Sequence, residues 1–239
     1  MVHEHHLTVS RTARFYTLGE PGPAVRDVWI VCHGYGQMAA SFVRRFVPVA
    51  APERLVVAPE ALARFYLDRA HGGSHAASAV GASWMTREDR AAEIADQVAY
   101  LDALSETILS QVDRAHVRTT ALGFSQGAAT VWRWLAHSAV RVDRVICWGA
   151  VVPDDVRVQD ARSLRQASIC LVTGNADEFA TAERLAHASA QLAAAGVPSE
   201  QITFEGGHRL DDATLRHLAG ALTAAATGPP AFPAGPGDP

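Results

Sequence analysis

A chain of 239 residues, 49% hydrophobic and 19% charged, is long enough to bury a sizeable core and short for two independent domains. A net charge of -4 and a pI near 6.2, with basic residues scattered along the chain, exclude a concentrated cationic footprint for nucleic acid or an acidic membrane surface. No uninterrupted apolar run approaches the roughly 20 residues that span a bilayer. The opening Met1-Val2-His3-Glu4-His5-His6 lacks the pattern of a secretory signal. The expectation is therefore a soluble cytoplasmic protein without stable membrane insertion.

Taken in chain order, short β-rich runs alternate with amphipathic stretches, the pattern of a mostly parallel sheet covered by helices on both faces. Strands are expected at Leu7 to Leu18 (as one or two edge strands), Asp27 to Cys32, Arg54 to Ala58, Val117 to Phe124, Asp143 to Trp148, Ser168 to Thr173 and Gln201 to Phe204. Several are near-continuous apolar runs, as central strands buried on both faces should be. Helices are predicted over Met38 to Val49, Arg87 to Val112, Gln126 to His137, Ala180 to Ala195 and Asp211 to Ala226. In the second of these, Ile94, Val98, Leu101, Leu104 and Ile108 share a face, and Thr86 is placed to cap it, with Glu88 and Asp89 in the first turn. Trp132 and Trp134 lie two apart on the third, a spacing that turns one to the core and leaves the other available to a partner.

These elements make one α/β domain over residues 1–226. The remaining 227–239 hold five of the twelve prolines and are expected to be a disordered tail. Residues 60–86 exceed a simple connection and carry Phe65, Tyr66, Trp84 and Met85, so they are assigned to substrate contact; packing of these aromatics onto the domain is the alternative. Cys32, Cys147 and Cys170 each sit in a strand-like run, as buried free thiols would. His71 and His75, like His3, His5 and His6, lack a rigid ligand spacing and are expected to be solvated, so no metal site and no cofactor are expected.

Gly123-Phe124-Ser125-Gln126-Gly127 joins an apolar strand to a helical stretch, the context of a nucleophile elbow. A serine hydroxyl is a poor nucleophile at neutral pH, so a base must take its proton and a third group must hold the base. Two later strand ends offer these. Gly174-Asn175-Ala176-Asp177 presents Asp177, with Glu178 as an adjacent rival, and Glu205-Gly206-Gly207-His208 presents His208. The order Ser125, Asp177, His208 is that of the α/β-hydrolase fold. His33-Gly34-Tyr35-Gly36 ends an earlier strand, where the Tyr35 amide can join that of Gln126 as an oxyanion donor.

Together these four motifs resemble the phospholipase/carboxylesterase family, in its order and approximate spacing, over roughly Asp27 to Ala226. The resemblance implies an α/β-hydrolase without a large cap, acting on small carboxylic esters through Ser125, His208 and Asp177, with Tyr35 and Gln126 as oxyanion amides. Thioester or lysophospholipid cleavage is the runner-up within the fold, and a non-catalytic binding protein on the same scaffold the alternative outside it. The chain departs from the family at Tyr35, where Leu is frequent, and at Glu178-Phe179-Ala180, where a Pro is common. A monomer and a homodimer are equally compatible with the sequence.

Overall fold

The computed structural model describes residues 1–67 and 78–225. Seven strands form one sheet in the order β1-β3-β2-β6-β7-β8-β9. They are β1 (Phe15–Leu18), β2 (Asp27–Cys32), β3 (Arg54–Pro59), β6 (Arg118–Phe124), β7 (Arg144–Trp148), β8 (Ser168–Gly174) and β9 (Ser199–Phe204). Only β1 runs antiparallel to its neighbour. Strands β2 and β7 are buried at every position, because helices cover both faces. This is the α/β-hydrolase fold expected from the sequence, without a large cap.

Alternation along the strands divides the core into two layers. Val28, Ile30 and Cys32 of β2 belong to the layer shared with α2 (Arg90–Leu109), α3 (Gln126–His137) and α5 (Ala182–Ala194). Trp29 and Val31 face the short α1 (Ala39–Phe42), the 3-10 segment Val43–Val49 and α6 (Asp212–Ala225). A further helix, α4 (Arg162–Gln166), packs against α3.

Local chemistry overrode several expectations. Of the run from Leu7 to Leu18, only Phe15–Leu18 pairs with the sheet, and Leu7 and Val9 are exposed. The predicted helix over 38–49 breaks into one α-turn and a 3-10 segment holding Pro48, whose missing N–H cannot continue an α-helical ladder. Helix α2 begins three residues late. Thr86 does not cap it; its hydroxyl accepts the Glu88 amide, its own amide donates to Glu93 Oε2, and Asp89 precedes the helix at φ 42°. Within 60–86, β4 (Ala63–Tyr66) and β5 (Val80–Ser83) pair as an antiparallel hairpin instead of an unstructured loop. Trp132 and Trp134 are both fully buried, since α3 is covered by the sheet on one side and by α2 and α4 on others. The three cysteines are buried and free. His71, His75 and the tail 227–239 lie outside the described residues.

Candidate active site

Six parallel strands end on one edge, and the loops after β2, β6, β8 and β9 carry the motif residues. Ser125 directly follows β6, between strand and helix, at φ 55° and ψ -118°. A non-glycine residue in that region costs on the order of 1–3 kcal/mol, which persists only where surrounding structure enforces it. Here the Ser125 amide donates to Trp148 O at 2.8 Å, and its carbonyl accepts from Ala128. Both motif glycines are sterically required. A Cβ on Gly127 would stand 2.1 Å from Cys32 O, and one on Gly123 2.3 Å from the α3 backbone.

Across the edge, His208 Nδ1 donates to Asp177 Oδ2 at 2.8 Å. With the proton on Nδ1, Nε2 keeps its lone pair, and among the described residues it has no partner. The Asp177 carboxyl is almost completely buried. Burial pushes its pKa up, but the Ala180 and Phe179 amides and the His208 imidazole outweigh this and hold it below the usual carboxylate range. Glu178, the adjacent rival, is exposed and makes no such bonds.

The two loops are tied to each other and to β7 by backbone and side-chain bonds. Gly206 N donates to Asn175 Oδ1, Ala176 N donates to Gly206 O, and Trp148 Nε1 donates to Arg209 O. Gly149 ends β7 between the two halves, at φ 65°. A Cβ there would lie 2.8 Å from His208 Cε1 and 3.3 Å from Asp177 Oδ2, so its missing side chain is the space that the pair occupies. Sequence reasoning missed Gly149 and Asn175; a glycine directly after a predicted strand was the available signal for the first. It also passed over the rings around His208, Phe124 with its centroid at 4.9 Å and Phe179 at 4.7 Å.

After β2, the Gly34 amide is held by Gln37 Oε1 and the Gly36 amide by Ala82 O. The Tyr35 amide, between them, has no partner among the described residues. The loop's base is rigid. His33 is buried, accepts from Ala61 N on Nε2 and donates from Nδ1 to Gly34 O. Burial lowers its pKa and keeps the ring neutral, which suits these bonds. The Gln126 side chain accepts Trp84 N and donates to Met85 O, and so ties the end of β5 to the start of α3.

The four aromatic and sulfur candidates of the 60–86 stretch part company. Phe65 stacks on Tyr35 with centroids 5.2 Å apart, and Tyr66 is half-exposed. Met85 is partly buried. Trp84 is 3% exposed and donates its indole N–H to His33 O, so it fastens the hairpin to the sheet and presents no open surface. Glu4, His6 and Asp89 bring ligand atoms within 4.8 Å of one another. The 83-residue separation of His6 and Asp89 hid Asp89 from the sequence, but all three groups are exposed, and nothing beyond their proximity marks an ion site.

The model of the phospholipase/carboxylesterase family matches residues 17–225. Solved structures with the same fold include esterase PE8 (19% identity, TM-score 0.67, covering 90% of this chain and 99% of that one). A carboxylesterase from Mesorhizobium loti is 20% identical, with TM-score 0.63 over 83% of this chain and 88% of that one. Acyl-protein thioesterase 2 from Zea mays is 17% identical, with TM-score 0.62 over 89% and 99%. No curated protein sequence matches the chain.

Proposed function

The chain belongs to the phospholipase/carboxylesterase family, whose members are ester hydrolases, and we propose that it is a serine carboxylesterase acting on small carboxylic esters through Ser125, His208 and Asp177. The observation that carries this reading is the His208–Asp177 pair at 2.8 Å, held at strand ends on the same sheet edge as the strained Ser125 turn.

In the first half-reaction, His208 Nε2 takes the Ser125 hydroxyl proton as Oγ bonds to the ester carbonyl carbon. The carbonyl oxygen becomes an oxyanion, met by the amides of Tyr35 and Gln126; one such donor is worth about 10²–10³ in kcat. Collapse breaks the bond to the alcohol oxygen, which takes the proton back from His208. Water, deprotonated by the same imidazole, then releases the acid and regenerates Ser125. Asp177 stays ionised throughout and holds the imidazole in the tautomer with Nε2 free.

The test is hydrolysis of p-nitrophenyl esters from acetate to palmitate by the wild type and by Ser125→Ala. Loss of turnover in the variant, by about 10⁴-fold or more, is the expected result. Equal rates in the two proteins, or none in either, would exclude this reading.

A further inference from the structure

We propose that Phe179 forms the leaving-alcohol subsite and selects esters of ring-bearing, apolar alcohols. The inference rests on the ester-hydrolase reading above, which fixes where the parts of a substrate stand. The carbonyl oxygen belongs at the Tyr35 and Gln126 amides. The alcohol oxygen must come within hydrogen-bond reach of His208 Nε2 to receive its proton. The group attached to that oxygen therefore lies on the His208 side of the scissile bond, where Phe179 stands with its ring centroid 4.7 Å from the imidazole and tilted by 54°.

Two features separate Phe179 from a core aromatic. It is 62% exposed, more than any other large apolar side chain beyond residue 9 among the described residues. Phe124, the other ring against His208, is 6% exposed and already supplies buried aromatic support, so the outer face of Phe179 serves no packing need. The backbone that carries the ring is nevertheless held firmly. Its amide donates to Asp177 Oδ1 at 2.8 Å, its carbonyl accepts from Arg184 Nη1 at 2.6 Å, and the next residue, Ala180, is fully buried and bonded to both Asp177 and Thr173. A ring on a pinned backbone has only its own two side-chain torsions left to restrict on contact. Apolar and aromatic groups gain most from such a surface, through area burial and offset ring stacking.

The experiment varies the alcohol at constant acyl group. Ethyl, cyclohexylmethyl and benzyl acetate have leaving alcohols of similar acidity, so differences among them report contact and not leaving-group chemistry. The wild type is expected to favour benzyl and cyclohexylmethyl over ethyl acetate in kcat/KM. In Phe179→Ala that preference should shrink by about tenfold, chiefly through KM, and Phe179→Leu should restore part of it. The preference between ethyl acetate and ethyl butyrate should be the same in all three proteins. An undiminished alcohol preference in Phe179→Ala overturns the proposal. So does an equal fall in kcat for every alcohol, which would make Phe179 a support for His208 alone. If the wild type hydrolyses no ester, the parent reading fails, and binding still decides the subsite: saturation-transfer NMR with benzyl alcohol should give signal with Ser125→Ala and lose it in Ser125→Ala/Phe179→Ala. Equal signal in the two would refute it.

Discussion

Gly149 and Gly127 are both glycines of necessity, yet what each would strike differs in kind. A Cβ at Gly127 meets the carbonyl of Cys32, backbone at the end of the interior strand β2, hydrogen-bonded in the sheet and unable to move aside. Gly127→Ala is therefore expected to cost about 3 kcal/mol of stability or more, seen as a large fall in the denaturant midpoint. A Cβ at Gly149 meets the His208 ring, which can yield, and yielding breaks the 2.8 Å bond to Asp177. Gly149→Ala should keep the fold, lowering the melting temperature by a few degrees for a left-handed alanine. Its kcat should fall about 10²-fold, the effect of displacing a reacting group by about 1 Å. A variant that melts early while keeping full activity would contradict this division between frame and site.

Among the elements, α2 and α3 are joined by polar groups in an otherwise apolar layer. Trp134 Nε1 and Ser138 Oγ both donate to Asp102 Oδ1. Asp155, in the segment after β7, accepts two bonds from Arg133 of α3 and pairs with Arg90 at the start of α2. The Arg133 guanidinium, with help from Arg90, holds the Asp155 carboxyl far below its usual range against the opposing effect of partial burial. A carboxyl depressed in the folded state stabilises fully above the unfolded value near 4, and that contribution is lost as pH falls toward the folded value. Asp155→Asn should thus destabilise by about 1 kcal/mol at pH 7, discounted for its partial exposure, and the gap to wild type should narrow below about pH 4. Urea melts of both proteins at pH 7 and pH 3.5 measure it; a gap that widens in acid would reverse the sign.

For the whole molecule, one sheet serves as a wall of both apolar layers. Trp84, Trp132 and Trp134 lie in the layer under α2 and α3, and Trp29 and Trp148 in the layer under α6. Because every buried strand contributes to both, neither layer can be lost while the other keeps its support. Thermal unfolding followed by far-UV circular dichroism and by tryptophan fluorescence should therefore coincide. A fluorescence transition several degrees ahead of the dichroism would show that one layer loosens alone. The edge that carries Ser125, Asp177 and His208 inherits this rigidity, since its loops start from strands within the shared sheet.

The seven strands of the main sheet, their mostly parallel character and the residues standing just past their ends were legible in the sequence because those signals are local, whereas the order of the strands and the β4–β5 hairpin were not. Burial on both faces writes a continuous apolar run, and a turn that admits no side chain writes a glycine, as at Gly123 and Gly127. The positions of Ser125, Asp177 and His208 after three such strands follow from the same pattern. Partners from distant segments left no local trace. That Trp132 and Trp134 are both covered depended on α2 and α4 closing over α3. Trp84, which looks like pocket material by composition, is spent on the carbonyl of His33, 51 residues away. The contact of Phe179 with His208 and the space left by Gly149 exist only once β7, β8 and β9 lie side by side. Periodicity is a property of neighbours in the chain, whereas the surroundings of an imidazole are set by neighbours in space, and only the tertiary structure brings those together.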